Sequence, residues 1–296
     1  MPDPLVPGRF GLYLSMLHYG LTSNAEFARE HCEFFHRLVD YTGDIAGKRI
    51  LEIGCGKSYW LTLLLHTHGA IASGVDTENV EPGFGWQRFA EIWRHNGPER
   101  ALRTLVWSVV FARPYYRALA KAAGRPLRFD GIDVRRTTPD RLDFDDDTFD
   151  LVVSHEVFEH IADVDAVAKE LQRVMKPGAR TYIYVHNYTS VSGGHHIAWK
   201  HVDTRPSHKV PPWDHLRAQR YPFIPSWLNT MREQDYRPIM ERYFEILDWF
   251  PTREEGRALL TPKIRAELSR YTEDELLRQG FVIVATPRKQ TALADA

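Results

Sequence analysis

A short apolar stretch, Lys48-Arg49-Ile50-Leu51-Glu52-Ile53, runs straight into Gly54-Cys55-Gly56, and no other feature restricts the fold of this chain as strongly. The run has the length of a buried strand. Two glycines one residue apart let the backbone turn sharply and come close to a ligand with no Cβ in the way. Ser58 to Thr67 reads as the helix that follows, and Ala70 to Asp76 as a second short strand ending on an acid. Strand, helix, strand in about thirty residues is a βαβ unit, which requires a parallel sheet.

The rest of the chain extends that unit into a doubly wound, seven-stranded, mostly parallel α/β sheet. A first helix is expected from Asn24 to Val39, with Ser23 and Glu26 at capping-box spacing. Residues 1–47 form an N-terminal helical segment and 48–296 the sheet domain. Further strands are expected at Leu127–Ile132, Asp150–Ser154, Thr181–Val185, Tyr243–Trp249 and Phe281–Ala285. An amphipathic helix with Val164, Val167, Ala168, Leu171, Val174 and Met175 on one face stops at Lys176-Pro177-Gly178. Two stretches are too long for simple crossovers, about 81–125 and 187–237. Both are expected over the carboxyl ends of the strands, where such sheets bind ligands. Trp86, Trp93 and Trp107 of the first are expected to pack between its helices.

The glycine turn has three readings besides a nucleoside site. Gly56-Lys57-Ser58 suggests a phosphate loop, but the earlier glycine that motif needs falls on Leu51. A dinucleotide fingerprint needs a glycine where Tyr59 stands. A bare strand-to-helix turn would not require Asp76, 20 positions after Gly56, where a carboxylate can accept both hydroxyls of a ribose.

Leu51-Glu52-Ile53-Gly54-Cys55-Gly56 resembles the first motif of class I S-adenosylmethionine (SAM) dependent methyltransferases. Phe149–Ile161 resembles that family's fourth strand and its exit, and Glu170–Ala179 its following helix and turn. The match spans Lys48 to Val185, interrupted by the first insertion, and departs from the family in carrying Ser58 where a third glycine is common. The resemblance implies SAM as cofactor, held by Glu52, Gly54, Cys55, Gly56, Asp76, Thr77, Asp133, Val134, Ser154 and His155. Asp76 would take the ribose and Asp133 the adenine amino group.

Ser192-Gly193-Gly194-His195-His196 and Pro211-Pro212-Trp213-Asp214-His215-Leu216 are similar to a loop pair of some methyltransferases of glycan and lipid-sugar biosynthesis. The implied reaction is O-methylation of a small acceptor, a sugar, oligosaccharide or glycolipid hydroxyl. Such a hydroxyl needs a base, and an imidazole is matched to that task. His195, His196 and His215 are the catalytic candidates, with His155 next. Other readings are N- or C-methylation of a natural product or quinone-like ring, or a SAM-binding regulator without chemistry.

Composition narrows the partners. Lys+Arg (38) and Asp+Glu (39) balance, so no net field draws the chain to nucleic acid. No apolar run is long enough to span a bilayer, and Met1-Pro2-Asp3-Pro4 lacks a secretory start, so a cytoplasmic protein is expected. The two cysteines make neither a disulfide framework nor a zinc cluster. Asp145-Asp146-Asp147 reads as a solvated turn, and His66 and His68 point apart on their helix. The sequence therefore suggests no metal site, and it does not set an oligomeric state.

Overall fold

The computed structural model describes residues 23–78, 86–217 and 227–289. The described residues divide into two compact units, those of 23–153 with 174–176, and those of 154–173 with 177–289. In the first lie α1 (Asn24–Thr42), β1 (Arg49–Ile53), α2 (Trp60–Thr67) and β2 (Ile71–Asp76). The insertion follows as α3 (Trp86–Asn96), α4 (Pro98–Val106), a π-helical turn (Trp107–Phe111) and α5 (Ala112–Ala122). Then come β3 (Asp133–Arg136) and β4 (Phe149–His155), whose end carries the chain into the second unit. There follow α6 (Val164–Val174), β5 (Met175–His186), α7 (Glu233–Tyr243), β6 (Phe244–Pro251), α8 (Pro262–Glu267), α9 (Glu273–Leu277) and β7 (Gly280–Pro287).

The seven strands form one sheet in the order β3-β2-β1-β4-β5-β7-β6. β2 runs parallel to β1 and β3, whereas β7 is antiparallel to β5 and β6. β1 is buried after Arg49 and α2 is buried almost all round, as a helix laid on a parallel sheet must be. α1 buries Ala28, Cys32, Phe34, Phe35 and Leu38. No side-chain cap forms at Ser23; the Phe27 amide bonds the Ser23 carbonyl instead.

Three local expectations change. Residues 127–132 are not a strand, because Gly131 turns the chain with φ +75° and β3 starts at Asp133. Lys176-Pro177-Gly178 does not separate α6 from β5; it lies inside the strand, with Gly178 in the left-handed region. Trp86 and Trp93 are 73% and 50% exposed, so they are not core residues. Of the insertion, residues 81–85 lie outside the described part, as do 218–226 of the second one and the first 22 residues.

The second irregular stretch carries its own core. Trp199, Val202, Val210, Trp213 and Leu216 pack with Ile264, Leu268 and Tyr271, which lets a segment with little regular structure hold a defined shape. α9 opens with a capping box formed by Thr272 and Glu275.

Gly74 sits mid-strand in β2, where a Cβ would meet Thr62 Oγ1 and lie 3.0 Å from Cys55 Cβ. Gly74→Ala is expected to destabilise the chain by about 1–3 kcal/mol through overpacking. Urea denaturation monitored by circular dichroism reads this as a lower midpoint at unchanged slope.

Candidate active site

The donor cradle belongs to the first unit. The amides of Gly54 and Cys55 both donate to the Val75 carbonyl, at 2.8 and 3.0 Å, which fastens the glycine turn to the end of β2. Gly54 and Gly56 have φ of +74° and +60°, a region that penalises a Cβ. At Gly56 a Cβ would meet none of the described residues within 4 Å. Asp76 Oδ2 accepts the Gly56 amide at 2.9 Å and Oδ1 the Glu78 amide at 2.8 Å, which orients the carboxylate at the strand end. Thr77 follows directly, its carbonyl accepting Arg136 Nε–H at 3.3 Å. An open glycine turn beside an oriented acid fits the nucleoside and methionine parts of SAM.

Other expected cofactor residues take different places. Glu52 is 2% exposed, and its Oε2 accepts both the amide and the hydroxyl of Thr62, so it braces α2 beneath the turn. Burial lifts its pKa to about 7, with Asp76 adding to the rise and Thr62 opposing it. Cys55 is buried, and its thiol is pushed far up by burial and by Glu52 and Asp76, so the side chain is an inert filler. Ser154 is wholly buried at the end of β4.

Asp133 is not brought to the strand end. It pairs with Ser73, and Val134 with Gly74, so Asp133 stands three residues before Asp76 along the sheet. At about 3.3 Å per residue that is roughly 10 Å. Its carboxylate is engaged by Ser73 Oγ and Arg135 Nε. The residue paired with Asp76 is Arg136, and the amide of Thr137 after it donates to the Asp76 carbonyl at 2.9 Å.

The insertion meets the residues just after the turn. Tyr116 Oη donates to the Ser58 carbonyl at 3.1 Å, and Lys57 Nζ lies 5.2 Å from the Trp107 ring centre. α5 is tied to α1 by a 2.7 Å hydrogen bond between Tyr115 and His31, whose ring stacks on Trp60 at 4.1 Å.

A second constellation lies in the other unit, at the exit of β4. His186 Nδ1 is 3.6 Å from Glu156 Oε1, and His155 Nδ1 is 4.0 Å from Glu156 Oε2. His186 Nε2 donates to Ser192 Oγ at 2.7 Å, because that hydroxyl gives its own proton to Glu255 Oε1 at 2.6 Å. Burial opposes charge on His186, but Glu156, Glu159 and Glu255 outweigh it and raise its pKa. Burial would likewise raise Glu156, yet His155, His186 and His195 hold it well below the carboxylate range. Glu159, 1% exposed, is lifted to about 8 by burial, with Glu156 adding to the rise and His186 opposing it.

The expected loop histidines separate. His195 enters this constellation, its ring centre 4.9 Å from those of His160 and His186. Burial, then His186, lowers its pKa to about 3. His215 packs under Gly194 and donates Nε2–H to the Tyr188 carbonyl at 2.9 Å, and burial lowers it to about 4. His196 Nδ1 accepts the Ala198 amide in a local turn. Neither His195 nor His215 has the basicity of a general base at neutral pH. Sequence reasoning placed His186 after the fifth strand as a pocket candidate but missed Glu156, Glu159 and His160; the available signal was two acids and a histidine in the otherwise apolar block after β4.

A family model described as a methyltransferase domain matches residues 23–243. The chain is 27% identical over 164 residues to a ubiquinone biosynthesis O-methyltransferase of Rhizobium rhizogenes, covering 55% of this chain and 51% of that protein. It is 22% identical over 187 residues to phthiotriol/phenolphthiotriol dimycocerosates methyltransferase 1 of Mycobacterium ulcerans, covering 63% and 48%. The chain thus spans about half the length of the curated relatives it matches. Among solved structures, the complex between the Haloferax volcanii Trm112 methyltransferase activator and a methyltransferase aligns with TM-score 0.50 at 16% identity, covering 91% and 95% of the two chains.

Two outcomes follow from the cradle. Asp76→Ala is expected to abolish most of the rise in melting temperature that SAM produces by mass action; equal shifts in both proteins would exclude this carboxylate from the site. Glu52 has a folded pKa of about 7, above its unfolded value, so its stabilising effect is full below pH 4.5 and lost as pH rises through 7. Glu52→Gln keeps an acceptor for Thr62 without the ionisation. It should flatten that loss and gain on the order of 1–3 kcal/mol at pH 8, read from denaturation midpoints across pH.

Proposed function

The chain belongs to the methyltransferase-domain family and is a SAM-dependent methyltransferase, and from that premise we propose that it methylates a hydroxyl oxygen of a small acceptor. The observation that carries this reading is the set of carboxylates and imidazoles at the exit of β4, a polar group suited to binding and deprotonating a hydroxyl. One relative is named an O-methyltransferase, which agrees with an oxygen acceptor, and the other a phthiotriol/phenolphthiotriol dimycocerosates methyltransferase. Neither names a carbohydrate, so the sugar expected from the loop pair gives way to a hydroxylated small molecule.

Bound SAM supplies an electrophilic methyl carbon on a sulfonium sulfur. Gly54, Gly56 and Asp76 orient the donor. Transfer of that methyl group to a hydroxyl oxygen would leave the sulfur neutral and would require a base of this chain to take the hydroxyl proton. Among the histidines expected from the sequence, His155 fills that role best. It follows β4 directly, is 18% exposed at its side chain, and faces the Glu156 carboxylate, which orients the ring.

His155→Ala is expected to lower turnover by a factor of about 10² to 10⁴ and leave SAM affinity nearly unchanged. His196→Ala, whose ring serves a local turn, should stay close to wild type. The assay follows demethylated cofactor over a panel of sugars, diols, catechol-like rings, amines and carbon acids. Product methylated only at nitrogen or carbon overturns the O-methyltransferase reading, and unimpaired His155→Ala turnover overturns the base.

A further inference from the structure

Glu159, His160 and His195 each offer a ligand atom, and these atoms all lie within 4.8 Å of one another. We propose that the three residues form a binding site for one divalent transition-metal cation, with open coordination positions for oxygens of the acceptor. The acceptor part rests on the O-methylation reading above; the cation site itself does not.

The buried carboxylate is the first argument. Glu159 is 1% exposed, and among the described residues neither oxygen has a hydrogen-bond partner. The amides of Glu159 and His186 are near enough to favour its charge, but neither closes a well-formed bond. A buried carboxyl group is normally hydrogen-bonded or bound to a cation, because leaving its oxygens unsatisfied is costly. His195 Nε2 is in the same position, a buried atom without a hydrogen-bond partner among the described residues and 3.9 Å from Glu159 Oε1. That separation is too long for a hydrogen bond. It is a short adjustment from the spacing of two ligands on one cation, whose bonds are each about 2.1 Å.

The second argument is the tautomer of His160. Its Nδ1 lies 2.8 Å from the Trp227 carbonyl, which only accepts, so Nδ1 carries the proton and Nε2 is the basic nitrogen. A backbone carbonyl on the far nitrogen is the usual support of a metal-bound histidine. Two imidazoles and one carboxylate suit Mn²⁺, Fe²⁺, Co²⁺, Ni²⁺ or Zn²⁺. Three protein ligands leave coordination positions for a substrate, as in catalytic sites. A cation there would draw electron density from a bound hydroxyl and ease loss of its proton.

The test uses the full untagged chain, stripped with chelator and dialysed, without SAM or acceptor. Mn²⁺ binding is followed by electron paramagnetic resonance, and Co²⁺ by its visible d–d bands. One equivalent per chain is expected. Glu159→Gln, which preserves volume, and His195→Ala should each weaken binding at least tenfold. Circular dichroism and the SAM thermal shift identify folded variants, and His160→Gln replaces either one if it fails to fold. Absence of stoichiometric binding, or equal affinity in folded variants, overturns the site. Stoichiometric binding without oxygen methylation on any acceptor overturns the function reading and leaves the site standing. Full turnover on a hydroxyl in excess chelator overturns the cation's role in holding the acceptor and leaves the function reading standing.

Discussion

The Val75 carbonyl receives the amides of both Gly54 and Cys55, and much of the cofactor cradle depends on those two bonds. They set where the chain leaves β1 relative to the end of β2, so the glycine turn and Asp76 share one place. The parallel pairing from Arg49–Ile71 to Ile53–Val75 delivers the two ends in step. Gly74, opposite Glu52 in that pairing, lets Thr62 of α2 approach closely enough to bond the Glu52 carboxylate. A strongly buried acid thus fastens helix to strand under the turn.

The constellation after β4 follows another logic. Few of its groups would keep their ordinary protonation alone. Against burial, His155 and His186 draw the pKa of Glu156 down, and the surrounding acids draw that of His186 up. Glu156 and His195 also adopt left-handed backbone, with φ of +55° and +54°, although neither is glycine. Backbone strain of that kind gathers at working sites, where surrounding structure holds it in place. The apolar cluster around Trp199 and Trp213 supplies such a hold for the loop that carries His195.

Much of this was legible in the chain itself. Gly54, Gly56 and Asp76 could be placed because a βαβ unit is local, with spacing set by one strand, one helix and one strand. β4, α6 and β7 were legible for the same reason, as strong apolar patterns of ordinary length. Asp133 was not. Whether an acid stands at the start or the end of its strand depends on register with β2, and Gly131 shifted the strand downstream.

The sequence by itself determined the class of fold, the glycine turn and the acid that accompanies it, because each is written in contiguous residues under short-range steric rules. Only the tertiary structure decided which histidines share a site. His195, His196 and His215 looked equivalent as loop residues. Folding buried His195 beside Glu159 and His160, gave His196 to a local turn and tied His215 to a backbone carbonyl. Burial and neighbouring charge set what an imidazole can do, and both come from residues far away in the chain.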